Sequence, residues 1–112
     1  MNIYYGTRMS GKSSILVRES AKTGAIIVAA TYPMCNALVG LAEMYDLKIP
    51  QPITVGEYIR TLHLGGMNRT QKYLIDELQM VLKQMNIKMA TVSHESVKSV
   101  DMYDFGGENG KT

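Results

Sequence analysis

The chain has 112 residues and a mass of 12.4 kDa, which corresponds to one domain with one modest hydrophobic core. Its net charge of +2 is too small to indicate an electrostatic nucleic-acid surface, and the single cysteine, Cys35, excludes an internal disulfide and a cysteine-based zinc site. The sequence shows neither a signal-peptide pattern nor a long apolar run, so we expect a cytoplasmic protein.

The first half of the chain alternates short apolar runs with helical patterns. "NIYY" at the start predicts a buried strand, and after a loop "KSSILVRESAKTG" predicts a helix that ends at Gly24. "AIIVAA" is a second continuous apolar run, as in a strand that is covered on both faces. Pro33 then opens a helix whose apolar residues recur every 3.6 positions.

The second half repeats this alternation. "ITVGEYIRTL" predicts a short strand that turns into a helix, "KYLID" predicts a third core strand, and "IKMATVS" predicts a fourth. Strands that alternate with helices indicate an α/β fold around a mostly parallel sheet. We assign residues 1–95 to this domain and expect the polar segment 96–112 to be a loose tail.

A glycine-rich segment follows the first predicted strand. Gly6 to Ser13, "GTRMSGKS", matches G-x-x-x-x-G-K-[ST] at every fixed position, between a predicted strand and a predicted helix. Backbone N–H groups curl around phosphate in such a loop, and the helix adds its positive dipole end. We therefore predict a bound nucleotide, ATP with Mg²⁺, and the expected contacts are Gly6, Thr7, Arg8, Met9, Ser10, Gly11, Lys12, Ser13 and Ser14.

The motif assigns two of these side chains a distinct task. Lys12 supplies a cation for the β- and γ-phosphates, and it is a predicted catalytic residue for that reason. Ser13 supplies a hydroxyl ligand for Mg²⁺.

Two adjacent carboxylates end the third predicted strand. Asp76 stands where a Walker B aspartate reaches the Mg²⁺ shell, and Glu77 follows it as the predicted base for the attacking water. The alternative is that the pair merely caps the next helix, because acidic residues favour its first turn. The upstream phosphate loop favours the catalytic interpretation.

These segments together resemble the RecA-like class of P-loop NTPases that carry a catalytic glutamate. Their order is similar to that in the first motor domain of superfamily-one helicases: Gly6–Ser13 resembles motif I, "AATYP" motif Ia and Asp76-Glu77-Leu78-Gln79 motif II. The chain also resembles small P-loop proteins of phages of Gram-positive bacteria, with their "ESAKTGA", "IPQPIT" and "YLID" segments. "TVSH" takes the place of motif III or a sensor.

The resemblance implies a three-layer P-loop fold with a sheet of four or five strands, in which a sensor strand lies between the P-loop strand and the Walker B strand. It implies that Ser93 and Gln79 contact the γ-phosphate or its water, although solvent-exposed polar roles are the alternative for both. It also implies a Mg²⁺-dependent ATPase in phage or bacterial DNA metabolism. The alternative is a nucleotide-binding regulatory module with little turnover that controls a replication or packaging partner.

The departures from the family are equally informative. A helicase has a second motor domain that supplies an arginine finger, and no segment of this sequence corresponds to that domain. We therefore expect a second copy or a protein partner to complete the site. If a second copy supplies the arginine, Arg60 and Arg69 are the candidates. Thymidine kinases share "SGKS" and "DExQ" but need zinc-binding cysteines that this sequence lacks. Thr31 and Tyr32, within the motif Ia segment, are candidates for a nucleic-acid contact.

Overall fold

The computed structural model describes residues 1–7, 10–64 and 70–105. These residues form five short strands, four α-helices and two single turns of 3-10 helix, at His94–Ser96 and Val100–Met102. The strands are β1 (Ile3–Tyr5), β2 (Ile26–Ala29), β3 (Ile53–Thr54), β4 (Tyr73–Ile75) and β5 (Val97–Ser99), and the helices are α1 (Lys12–Thr23), α2 (Tyr32–Met44), α3 (Val55–His63) and α4 (Leu78–Gln84). Among the described residues, no helix is long and apolar enough to cross a membrane.

The strands pair in two parallel sheets. One sheet has the order β3-β2-β4, and the other contains β1 and β5 alone. The register pairs Val28 with both Ile53 and Ile75 in the first sheet and Tyr4 with Lys98 in the second. Because parallel strands end at a common edge, the segments that follow β2, β3 and β4 emerge on one side of the larger sheet.

Local sequence signals explain where the helices start and stop. The hydroxyl of Thr31 accepts the N–H of Met34 at the start of α2, where Pro33 occupies the first turn. Thr54 and Glu57 form a reciprocal capping box at the start of α3. The predicted helix end at Gly24 is confirmed, since its N–H donates to the carbonyl of Ser20 at 2.8 Å.

The core lies on both faces of β2. Alternate residues of a strand point to opposite faces, and Ile27 and Ala29 join α1 and α2 while Val28 joins α3 and α4. The larger cluster contains Val17, Ile27, Ala29, Cys35, Leu38 and Ala42, and the smaller one contains Val28, Val55 and Val81. The predicted α/β class, with parallel strands and helical cover, is confirmed.

Two expectations about the second half of the fold are wrong. The predicted fourth strand, "IKMATVS" at residues 87–93, forms no strand, and its Met89 is 81% exposed. The expected sensor strand between β1 and β4 is therefore not found among the described residues, and the five strands lie in two sheets rather than one. β-favouring residues form a strand only where they pair with an edge, and residues 87–93 pair with none.

Part of the segment 96–112, which was expected to be a loose tail, forms regular structure. Val97–Ser99 form β5 and pair with β1, and Val100 is buried. The tyrosine rings of Tyr4 and Tyr103 meet edge to face at 5.7 Å. Among the described residues, packed structure thus continues past residue 95, the predicted boundary, as far as Tyr103.

Candidate functional site

The described residues of the glycine-rich segment lie between β1 and α1. The N–H of Ser10 donates to the carbonyl of Thr7 at 3.1 Å, and Gly11 stands at the N-cap of α1 with φ 96°. This left-handed backbone is costly for a residue with a Cβ atom, so the conformation favours glycine at the second motif position.

The first motif glycine is required by space. A Cβ atom at Gly6 would collide with the side chain of Ser10 and would approach Val100 Cγ1 to 3.1 Å. The loop is therefore folded closely upon itself and against the residue that follows β5. Arg8 and Met9, which the motif also predicts as nucleotide contacts, lie outside the described residues.

Lys12 connects this loop to the carboxylates. Its Nζ donates to the carbonyl oxygens of Gly6 at 2.8 Å and Thr7 at 3.0 Å, and it lies 3.7 Å from Oε2 of Glu77. The lysine cation is thus held at the loop by backbone acceptors and faces an acidic group from a different sheet. The predicted loop cation and the predicted base are in direct contact.

Asp76 follows β4 and is almost completely buried, with 5% of its surface exposed. Its N–H donates to the carbonyl of Val28 at 3.0 Å, which continues the pairing of β4 with β2 by one residue. Burial raises the pKa of the Asp76 carboxyl and the neighbouring Glu77 raises it further, while Lys12 and a hydrogen bond from Ser13 act in the opposite direction. Ser13 and Asp76, the two predicted Mg²⁺ ligands, are therefore neighbours.

Glu77 has an unusual backbone conformation. It is the N-cap residue of α4, with φ 56° and ψ 69°, and its side chain makes no capping hydrogen bond. Its Oε1 instead accepts a hydrogen bond from Nε2 of Gln79 at 2.7 Å. A left-handed glutamate that does not use its carboxylate for capping weighs against the simple capping alternative, because such strain concentrates at functional sites.

The remaining predicted contacts lie in different surroundings. The hydroxyl of Ser14 is 3.0 Å from that of Tyr45, a residue at the end of α2 that the motifs do not mark. Gln79 reaches the site through its hydrogen bond to the carboxylate of Glu77. Ser93 is exposed and precedes a 3-10 helix, so the strand end from which it was expected to sense phosphate is not there.

A cavity of about 620 Å³ opens beside the carboxylates. One helix, α2, supplies its apolar wall, and Ser13, Asp76 and Glu77 supply its polar end; the apolar residues are Met34, Ala37, Leu38 and Leu41. The 3.6-residue period of α2 predicts an apolar helix face. Which part of that face borders the site depends on how α2 packs on α1, and no local sequence signal carries that information.

The described residues contain no cluster of three or more His, Cys, Asp or Glu side chains that could hold a metal by themselves. A magnesium ion that keeps most of its waters needs only one or two protein ligands in addition to substrate phosphates. The pair Ser13 and Asp76 is sufficient for such a site.

Comparison with protein-family models, with curated proteins and with solved structures finds no match to this chain.

Proposed function

We propose that the protein is a P-loop nucleoside triphosphatase that binds ATP with Mg²⁺ and hydrolyses its γ-phosphate bond. The observation that carries this proposal is the position of Lys12, whose Nζ is 2.8 Å from the carbonyl of Gly6 and 3.7 Å from the carboxylate of Glu77. The phosphate-loop motif and the two carboxylates are 63 or more positions apart in the sequence. Their meeting at one lysine supports a single site.

The described part of the loop suits a phosphate group. The Oγ atom of Ser10 is buried and has no hydrogen-bond partner among the described residues, which is costly unless a ligand supplies one. Gly6 and Gly11 give the loop its close and left-handed path, and the N-terminus of the 12-residue helix α1 follows directly. Together they provide donors and a positive end for an anion.

Ser13 and Asp76 would hold the Mg²⁺ ion, which supplies positive charge beside the phosphates when it is bound. Asp76 must be ionised to act as a ligand. Burial raises the pKa of its carboxyl and so disfavours the charged form in the free protein, and a bound cation would offset that cost by favouring the carboxylate. Lys12 exchanges its hydrogen bonds with the loop carbonyls for bonds with phosphate oxygens.

Glu77 is the proposed general base. Its carboxylate takes a proton from a water molecule whose oxygen attacks the γ-phosphorus, and the bond to the β,γ-bridging oxygen breaks. Gln79 holds one carboxylate oxygen at 2.7 Å and so orients the base. Lys12 stabilises the charge that develops on the phosphate oxygens.

The proposed function includes a three-layer P-loop fold. Parallel strands with helices on both faces of β2, and site residues directly after β1 and β4, support a three-layer P-loop fold. The motif order shared with superfamily-one helicases supports a role in phage or bacterial DNA metabolism, in the cytoplasm of a bacterial cell.

One observation favours the alternative of a nucleotide-binding regulatory module with little turnover. The two carboxylate oxygens of Glu77 are engaged by Gln79 and Lys12, so the base must be released before it can act. A slow site of this kind would rely on a second copy or a protein partner for an additional cation. Arg60 is exposed on α3 and remains a candidate, while Arg69 lies outside the described residues.

Titration of Mg·ATP into the wild-type protein and Lys12→Ala tests the proposal. We expect the variant to bind at least about tenfold more weakly, because it lacks the cation for the β- and γ-phosphates. Lys22→Ala, in the last turn of the same helix and paired with Glu19 at 3.4 Å, is the matched control and should bind normally. Equal binding by all three proteins would reject a nucleotide site at this loop.

A further inference from the structure

Tyr45 occupies a rigid position at the end of α2. Its N–H donates to the carbonyl of Leu41 at 3.1 Å, and the next residue, Asp46, is left-handed with φ 57°. The N–H of Leu47 then donates to the carbonyl of Ala42 at 2.8 Å, which closes the helix end. The backbone therefore fixes the direction in which the Tyr45 side chain leaves the helix.

Two residues of α1 hold the other end of this side chain. The hydroxyl of Tyr45 is 3.0 Å from Oγ of Ser14, and the guanidinium carbon of Arg18 lies 4.9 Å from the centre of the ring. Arg18 also lies 5.3 Å from the ring of Phe105. Tyr45 nevertheless retains 38% of its surface exposed, so an anchored aromatic ring faces solvent beside the first turn of α1.

The geometry of α1 gives the proposed site a direction. Ser13 lies beside Asp76, while the next residue, Ser14, is turned about 100° around the helix and meets Tyr45. The carboxylates mark the γ-phosphate end of a bound nucleotide, because Glu77 must reach the attacked phosphorus. The nucleoside end then lies away from them, on the side of Ser14.

We propose that the ring of Tyr45 is the stacking platform for a purine base of the bound nucleotide, an inference that rests on the proposed function. Every base has a π-face, and stacking on an aromatic side chain adds about tenfold or more to affinity. A ring already fixed by Ser14 and Arg18 loses little freedom on stacking. Purines present the larger face, so ATP and GTP are the favoured nucleotides over CTP and UTP.

The cavity on α2 is the competing place for the base. Its polar end contains Asp76 and Glu77, so a base there would occupy the end of the site at which the proposed reaction takes place. It would also leave the anchored ring of Tyr45 without a role. The position beside Ser14 is compatible with both the carboxylates and the ring.

Titrations of Mg·ATP and of Mg·tripolyphosphate, which has no base, separate the base contact from the phosphate contacts. We expect Tyr45→Leu to lower the affinity for ATP by about tenfold and to leave tripolyphosphate binding unchanged. Met44→Ala, which removes an exposed side chain beside Tyr45, is the control and should change neither affinity. Equal losses for both ligands in Tyr45→Leu, or no loss for either, would overturn the inference.

A fluorescence experiment tests the same contact in a protein that keeps an aromatic ring. The sequence contains no tryptophan, so Tyr45→Trp and the control Met44→Trp each carry a single indole. We expect ATP, but not tripolyphosphate, to quench Tyr45→Trp, and neither ligand to quench Met44→Trp. Identical responses of Tyr45→Trp to the two ligands would overturn the inference.

These measurements also separate the inference from the function on which it depends. If the wild-type protein binds neither ATP nor tripolyphosphate, the proposed nucleotide site fails, and the base platform fails with it. If it binds both but Tyr45→Leu treats them alike, only the platform fails. A preference for purine over pyrimidine nucleotides that disappears in Tyr45→Leu would support both.

Discussion

The two halves of the candidate site rest on different sheets. Asp76 and Glu77 follow β4, which is paired with the buried central strand β2 and is covered by helices. The loop from Gly6 follows β1, which pairs only with β5 among the described residues and ends at the exposed Tyr5. The carboxylate half is therefore supported by the main core, and the loop half by the C-terminal segment.

This difference shows how far apart in the chain the supports of one site can be. The first six residues carry the start of the glycine-rich loop, but the strand that pairs with β1 comes from residues 97–99. The halves meet at α1, which begins in the loop and packs into the main core through Val17, and at the contact between Lys12 and Glu77. Each half can therefore be disturbed separately.

The largest effect should come from removing the support of the loop half. A chain that ends at Glu95 lacks β5 and Tyr103, so β1 loses its strand partner and Tyr4 loses its aromatic neighbour. We expect nucleotide and tripolyphosphate binding to be lost in calorimetric titrations, because the strand from which the loop starts no longer has a partner to hold it in place.

A chain that ends at Phe105 keeps every described contact of this segment and is the control. It should bind as the full-length protein does. Helical content measured by circular dichroism should be similar in both shortened chains, since the main core is formed by residues before 95. Normal binding by the chain that ends at Glu95 would contradict the dependence of the loop on β5.

A smaller and more specific effect is expected in the carboxylate half. Glu77→Gln preserves the size of the side chain but removes the base, so hydrolysis of ATP should fall by about 100-fold or more while binding persists. Steady-state phosphate release and a parallel binding titration give the two readings. Unchanged hydrolysis would assign Glu77 a role in helix geometry alone.

Asp76→Asn should change stability in a way that depends on pH. The folded protein raises the pKa of this carboxyl above the ordinary 3.8, so the charged form is disfavoured and stability falls as pH rises through the interval above 3.8. The variant removes this cost, and without ligand it should be more stable at neutral pH by on the order of 1 kcal/mol.

Urea denaturation at neutral pH and near pH 3.8 checks this expectation. The advantage of Asp76→Asn should shrink at the lower pH, where the wild-type carboxyl is largely protonated in the folded state. Added Mg·ATP should stabilise the wild type more than the variant, because the variant lacks the proposed metal ligand. A variant that is less stable than the wild type at neutral pH would contradict the cost of burial.

The smallest effect should come from a cation that a second copy of the chain contributes to the proposed site. If a second copy supplies a cation such as that of Arg60, specific ATPase activity should fall a few-fold as the protein is diluted to a monomer. Light scattering at each concentration gives the oligomeric state. High and constant activity of a demonstrated monomer would exclude a second copy as the source of that cation.

The sequence was most informative where one local signal determines the structure. The strand–loop–helix context of Gly6–Ser13, the helix end at Gly24 and the strand before Asp76 were predicted correctly, because turn glycines and continuous apolar runs act over a few residues. That Ser13 lies close to Asp76 was predicted only because both residues belong to motifs whose combined role is metal binding. No residue pattern within either segment indicates that they meet.

Long-range pairing was predicted least well. "IKMATVS" has the composition of a strand and forms none, while the polar "VKS" at 97–99 forms β5 because β1 offers it an edge. The position of Tyr45 beside Ser14 was missed because it depends on the packing of α2 against α1. Propensity describes a residue alone, and each of these outcomes depends on a partner far away in the chain.

The hydrogen bonds of Lys12 have a kinetic consequence. The Nζ group occupies two carbonyl oxygens of its own loop and faces Glu77, so it must leave all three before it can hold a phosphate. In the proposed complex, exchange of these acceptors for phosphate oxygens is a first-order step within one molecule, so its own rate does not depend on nucleotide concentration. The observed association rate should therefore rise with nucleotide concentration and then level off at the rate at which the lysine leaves the loop carbonyls.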